Sequence, residues 1–196
     1  MLKIHTLPLG DYMTNTYIVH NDDCDQCVII DAGYAAPTIL DELDHLGLNA
    51  QAILLTHGHF DHVGAVRALA AELECPVYIC EEELSMPPMM TAGPLYYTDN
   101  YGEGAKLNLA GLDITVLHTP GHTPGSVCLL IENAMFSGDT LFARSCGRTD
   151  LPGGDWDTIQ ASLKRLSDLE ISCAVYPGHG SSTTLAYEKL YNPYMR

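Results

Sequence analysis

Apolar residues recur along the chain in short runs broken by turn residues, and the spacing inside each run predicts its element. Lys3–Leu7, Thr16–His20 and Val28–Asp31 read as strands, the last two joined by a polar turn. Pro37 to Leu46 reads as a helix: Pro37 suits its first turn, Ile39, Leu40, Leu43 and Leu46 line one face, and Gly47 can end it. Ala52–Leu55 has the continuous apolar character of a buried strand. His62 to Leu73 then places Val63, Val66, Leu69, Ala70 and Leu73 on one helical face.

Val77–Ile79 is a further short strand. Lys106–Leu109 with Leu112–Leu117 predicts a hairpin around Ala110-Gly111, and Val127–Ile131 with Ala134–Ser137 another around Glu132-Asn133. Asp155 caps a predicted helix whose inner side carries Ile159, Leu163 and Leu166. Cys173–Tyr176 is the last predicted strand, and a short helix follows from Thr184. The alternation suggests two similar halves, each running from strands through a polar loop into helix, around a layered core. Met86 to Gly102 breaks it with three prolines and three tyrosines among its residues. A loop of that kind either covers a site or packs as a surface excursion.

The polar loops concentrate one kind of chemistry. Directly after Ala52–Leu55 comes Thr56-His57-Gly58-His59-Phe60-Asp61-His62, with three imidazoles and a carboxylate. His57 and His59, two apart on extended backbone, lean the same way, while Asp61 and His62 fall where the chain turns into helix. Three more loops follow predicted strands and set a ligand-type residue beside glycine: His122 in Thr119–Gly125, Asp139 in Phe136–Thr140 and His179 in Tyr176–Gly180. Together they supply five histidines and two aspartates. One cation with three protein ligands leaves about half of these unused. Two cations sharing a carboxylate use all seven, and a pair held roughly 3.5–4 Å apart can activate a shared water. Imidazole and carboxylate suit zinc foremost, with iron or manganese also compatible.

The order H-x-H-x-D-H, then separate His, Asp and His, resembles the metallo-β-lactamase fold superfamily across nearly the whole chain. The resemblance implies a four-layer αββα sandwich with the ligand loops gathered at one edge. It implies that His57, His59 and His122 hold one metal, that Asp61, His62 and His179 hold the other, and that Asp139 bridges. Asp31, at the end of its strand, would support the centre from behind, and Thr56 is a second such candidate beside the alternative of a plain strand end. Gly138-Asp139-Thr140-Leu141-Phe142, Gly147-Arg148-Thr149-Asp150 and the stretch from Thr183-Thr184 to Asn192-Pro193 resemble the glyoxalase II-like branch in its short bacterial form.

That branch implies hydrolysis of a thioester, S-D-lactoylglutathione or a related 2-hydroxyacyl thioester, by a hydroxide between two divalent metal ions, with Asp61 orienting the attacking oxygen. Gly180-Ser181-Ser182 stand where the long enzymes carry a tyrosine, which leaves the thiol carrier open. Arg148 is either an anion contact for the substrate or half of an ion pair with Asp150 or Asp155. A persulfide dioxygenase resembles the same branch, with one iron on His57, His122 and Asp139. A non-catalytic metal-binding module is the reading from a different class, and a nuclease the most remote.

Composition narrows the partners. The 196 residues suit a single domain, residues 1–196, and 46% hydrophobic with 17% charged residues describe a globular chain. A net charge of −16 repels nucleic acid and acidic membrane faces, and the partner that the resemblance implies is a small-molecule thioester. No apolar run is long enough to span a bilayer, and Pro8, Gly10 and Asp11 interrupt the N-terminal stretch. Seven cysteines without regular spacing predict reduced thiols and a cytoplasmic setting. Cys24 and Cys27 form a C-x-x-C at an expected hairpin tip, either a redox or accessory metal pair or ordinary thiols; Cys146 falls near the Asp139 loop. His118 reads as structural, and His5, His20 and His45 as ordinary surface or partly buried residues.

Overall fold

The computed structural model describes residues 1–91 and 93–195. Strands β1 (Leu2–Leu9), β2 (Thr14–Asn21) and β3 (Gln26–Ile30) form an antiparallel meander. Helix α1 (Ala36–Leu46) crosses to β4 (Asn49–Leu54), which lies parallel to β3. Pro37 occupies the first turn of α1, and Gly47 closes it in the left-handed conformation (φ 67°) with its N–H on Leu43 and Asp44 carbonyls. Helices α2 (Phe60–Val63) and α3 (Val66–Leu73) lead to β5 (Val77–Cys80), and β6 (Asp99–Tyr101) completes a six-stranded sheet in order β1 to β6.

The second half repeats the scheme. Strands β7 (Lys106–Leu109), β8 (Leu112–His118), β9 (Val127–Ile131) and β10 (Ala134–Gly138) pair antiparallel. A short ribbon, β11 (Leu141–Phe142) and β12 (Ser145–Cys146), precedes helix α4 (Trp156–Asp168), whose N-terminus Asp155 caps by accepting from Thr158 N–H. Strand β13 (Ala174–Pro177) runs parallel to β10, β14 (Thr183–Thr184) pairs beside it, and α5 (Leu185–Tyr191) follows. The second sheet thus has the order β14-β13-β10-β9-β8-β7.

Period-two alternation distributes the apolar runs over three interfaces. Tyr17, Val19, Val28, Ile30 and Leu54 of the first sheet meet Ile114, Val116, Leu129, Ile131 and Phe136 of the second. The intervening residues point outward: Ile18, Ile29 and Ile53 pack on Ile39, Leu43, Val66 and Leu69, and Met135 and Val175 on Ile159, Leu163 and Leu166. Both faces of the central strands are therefore buried, which is why they read as continuous apolar runs. The result is the αββα sandwich. Fully buried Phe136 sits in its middle layer, and its truncation to Ala costs about 3–5 kcal/mol.

Some predicted elements differ. The expected helix from His62 to Leu73 is two helices. In a continuous helix the His62 carbonyl would accept from Val66; here it accepts from Ala32 N–H at 2.9 Å, while Ala65 N–H turns to the Ala32 carbonyl. A tertiary bond thus takes over the helical one. The expected 86–102 loop, of which residue 92 lies outside the described residues, ends in β6, where buried Tyr101 donates its hydroxyl to the Leu55 carbonyl at 2.6 Å. Cys27 lies inside β3 and is fully buried, so it is not at a hairpin tip, and all seven cysteines are free. Among the described residues no helix is long and apolar enough to cross a membrane.

Candidate metal centre

The four ligand loops leave the sheets at the same edge of the sandwich and meet between them. The loop after β4 carries His57 and His59, and Asp61 and His62 stand in the single turn of α2. His122 follows β8, Asp139 follows β10 and His179 follows β13. Two groups emerge, His57–His59–His122 and Asp61–His62–His179, each with one potential ligand atom per residue inside 4.8 Å of the others. Asp139 lies between them: Oδ1 is 3.4 Å from His62 Nε2, and Oδ2 is 3.5 Å from both His122 Nε2 and His179 Nε2.

Four of the five rings, all but His59, are aimed by a partner on the far nitrogen. Thr56 Oγ1 stands 3.1 Å from His57 Nδ1, the Arg148 carbonyl accepts from His122 Nδ1 at 2.7 Å, and the Tyr12 carbonyl accepts from His179 Nδ1 at 3.0 Å. Asp31 Oδ2 is 2.8 Å from His62 Nδ1. Asp31 also accepts from Thr56 N–H at 2.8 Å and Thr56 Oγ1 at 2.7 Å, and it holds a left-handed backbone (φ 53°), which aspartate tolerates better than most side chains. Both Asp31 and Thr56 therefore sit behind the candidate ligand histidines His57 and His62.

The near sides of these residues are short of partners. Buried His57 Nε2 has no hydrogen bond, and Asp139 Oδ1 has only the His62 ring at 3.4 Å. His59 Nδ1 and His122 Nε2 approach to 2.8 Å, and His62 Nε2 and His179 Nε2 to 3.4 Å. Buried lone pairs that converge without donors are costly unless a cation sits among them. The donor set and its geometry fit two divalent cations.

Electrostatics divide the centre. Burial drives His57 well below the ordinary imidazole range, with the neighbouring rings adding to it, and burial with His122 lowers His59 to about 4. On the other side burial opposes the charged form but loses. Asp31 and Asp139 hold His62 well above its usual range, and the bond to Asp61 raises His179. Burial would likewise raise Asp139 and Asp61, yet His62 holds Asp139 down and His179 holds Asp61 down. His57 and His59 thus keep neutral rings, whereas His62 and His179 share protons with Asp61 and Asp139.

Glycine makes the tightest approach possible. A Cβ on Gly178 would lie 2.2 Å from Asp139 Oδ1 and 2.7 Å from His62 Cε1, so a bare backbone is needed at that point. The start of β2 buttresses the same loop, where Asn15 Nδ2 donates to the Pro177 and Gly180 carbonyls, and it also holds α2, where Thr14 Oγ1 donates to Asp61 Oδ2 at 3.0 Å.

Several of these supports had no signal in the sequence. The clearest is Glu83, fully buried, whose carboxylate accepts from Gly58 N–H at 2.6 Å and Gly125 N–H at 2.7 Å. It ties the His57–His59 loop to the His122 loop. Burial raises its pKa, against the bonds from Thr123, Gly125 and Gly58. It closes the run Glu81-Glu82-Glu83, which reads as a solvated face; only its position after a buried strand could have drawn attention to it.

The centre opens into a cleft of about 570 Å³ walled by Tyr12, Phe60, Met90, Phe142, Cys146 and Leu151. Met90 brings the 86–102 segment to its rim, and the Phe60 N–H donates to the Met90 carbonyl at 2.8 Å. Arg148 also lines the cleft, but its guanidinium makes a two-pronged pair with Asp150 at 2.6 and 2.7 Å, one of the two arrangements the sequence allowed. Its carbonyl, not its side chain, reaches a ligand histidine.

Residues 9–179 match the family profile described as the Metallo-beta-lactamase superfamily. The chain is 36% identical to the "Probable metallo-hydrolase YqgX" of Bacillus subtilis and 32% to the "Hydroxyacylglutathione hydrolase GloC" of Haemophilus influenzae, each over 99% of this chain and 98% of the relative. Among solved structures, BLEG-1 B3 metallo-beta-lactamase superposes with a TM-score of 0.89 at 38% identity, covering 100% of this chain and 99% of that one. The di-iron-bound form of TTHA1623 gives 0.85 at 38%, covering 97% and 99%, and ETHE1 of Myxococcus xanthus 0.85 at 28%, covering 97% and 83%.

Proposed function

Because the chain belongs to the Metallo-beta-lactamase superfamily, with names of metallo-hydrolases among its full-length relatives, we propose that it is a dinuclear metal-dependent thioesterase acting on S-D-lactoylglutathione or a related 2-hydroxyacyl thioester. The observation that carries this reading is Asp139. Its two oxygens face His62 on one side and His122 and His179 on the other, the placement a shared ligand needs. The relative named hydroxyacylglutathione hydrolase supports the substrate class.

Two divalent ions, zinc in the first instance with iron or manganese as alternatives, would be held by His57, His59 and His122 and by Asp61, His62 and His179, with Asp139 common to both. When bound, they supply Lewis acidity that polarises a carbonyl and acidifies water. The protein's own residues do the rest. Asp31, the Thr56 hydroxyl and the Arg148 and Tyr12 carbonyls lock the rings. Asp61, steadied by Thr14, would orient the attacking oxygen with its carboxylate. Tyr12, Phe60, Met90 and Leu151 exclude solvent from the acyl group. Arg148 contacts a carrier carboxylate only by leaving Asp150.

ETHE1 among the structural neighbours supports a second reading, a persulfide dioxygenase with one iron on His57, His122 and Asp139. Metal analysis of anaerobically purified protein, run beside a thioester panel, a β-lactam and glutathione persulfide with oxygen monitoring, separates the two. About two ions per chain with thioester cleavage, both lost in Asp139→Ala, is the expected result. One tightly held iron with persulfide-dependent oxygen uptake reverses the assignment, and cleavage of the β-lactam alone rejects both.

A further inference from the structure

Outside this centre, Cys80, Glu82 and His118 form a separate group of metal-ligand type, each offering an atom inside 4.8 Å of the others. Sequence periodicity explains the meeting. Tyr78 and Cys80 of β5 face the layer between the sheets, as do Leu112, Ile114 and Val116 of β8, and His118 continues that face at the strand's end. Apolar packing stops there, and a thiol from one sheet meets an imidazole from the other. Glu82 arrives from the turn after β5, and its Oε2 accepts from the Cys80 thiol at 2.9 Å.

The ring of His118 is already aimed. The Pro124 carbonyl accepts from its Nε2 at 2.9 Å, which leaves Nδ1 to carry the lone pair, the arrangement that metal-binding histidines use. Its backbone is fixed too: Glu103 accepts from His118 N–H at 2.8 Å, and Arg165 pairs with Glu103 and the His118 carbonyl. The nearby cation is therefore committed elsewhere. Cys80 is buried, His118 half-buried and Glu82 exposed, so the group opens to solvent on the carboxylate side.

We propose that Cys80, Glu82 and His118 form an accessory site for one zinc-class divalent cation, which clasps the two sheets beside the main centre. Thiolate, imidazole and carboxylate are a zinc-type donor set, and water completes a tetrahedron. Ligand atoms in such a site stand about 3.3–3.9 Å apart, so small side-chain rotations close the existing group around an ion. Binding expels the Cys80 proton to solvent, one per ion, with no change of oxidation state. The site is independent of the thioesterase reading and holds or falls apart from it.

Cadmium tests it, because a thiolate–Cd²⁺ bond absorbs in the ultraviolet and the main centre contains no thiolate. Protein loaded at the main centre is titrated with Cd²⁺. Wild type should take up one more ion than Cys80→Ser, with a charge-transfer band that the variant lacks. Glu82→Gln, at an exposed position that leaves folding intact, and His118→Asn should each weaken the uptake by at least about tenfold. Equal uptake and equal absorption in wild type and Cys80→Ser overturn the site, as does a wild-type band that Glu82→Gln leaves at full affinity.

Discussion

Asp31 Oδ2 stands 2.8 Å from His62 Nδ1, and both side chains are buried. The contact fixes which nitrogen of His62 faces Asp61, Asp139 and His179. The same carboxylate receives two bonds from Thr56, the residue before His57. One acid behind the centre therefore orients a ring in each metal group.

Asp31→Asn keeps the shape and the tolerance for a left-handed backbone but removes the charge. The second group should lose metal affinity by about 10–100-fold, the usual cost of a lost outer partner. Competition with a chelator measures it. An unchanged dissociation constant would show that the His62 ring is held by packing alone.

Glu83→Gln addresses a support of another kind. A carboxamide has one acceptor oxygen for the two N–H groups of Gly58 and Gly125, and its NH₂ opposes the other. A buried donor left unpaired costs about 1–3 kcal/mol. Denaturant unfolding of metal-free protein should show that loss as a lower midpoint at unchanged slope. Glu81→Gln, on the exposed side of the same turn, should stay within about 0.5 kcal/mol of wild type.

Gly178→Ala tests how closely the two metal groups must approach. The new Cβ meets Asp139 Oδ1 and the His62 ring at separations no side chain tolerates, and Asp139 must swing away. Displacing a common ligand by about 1 Å is expected to lower turnover more than about a hundredfold. Metal content should fall by one equivalent while the far-ultraviolet circular dichroism stays native. Full metal content and activity would remove Asp139 from its shared place.

What the chain discloses before folding follows the range of the interactions. Strands such as Val28–Ile30 and Ala52–Leu55 are legible because burial on both faces leaves nothing polar in them, and α1 because Pro37 and Gly47 mark its ends locally. His57, His59, Asp61 and His62 are legible because four ligand types crowd one loop. The break between α2 and α3 is not, since Ala32, far away in sequence, makes it. Glu83 is hidden for the same reason: its partners Gly58 and Gly125 come from different halves of the chain. Arg148 shows the limit from the other side, because a charged side chain beside a cleft drew attention while its carbonyl holds His122.

Acidification should empty the two metal groups in order. His62 and His179 have raised pKa values, so in the metal-free protein they hold protons that an incoming cation must expel. A raised pKa means that this competition strengthens as soon as pH falls toward the ordinary imidazole range. His57 is pushed well down and His59 to about 4, so these rings keep free lone pairs under the same conditions. Lowering the pH from about 7.5 to about 5.5 is therefore expected to release the ion of the Asp61–His62–His179 group first, with the other ion retained until the medium is distinctly more acidic. Metal content after dialysis across that range, followed together with thioester turnover, measures the order. Simultaneous loss of both ions would mean that Asp139 couples the two groups more strongly than their separate proton affinities divide them.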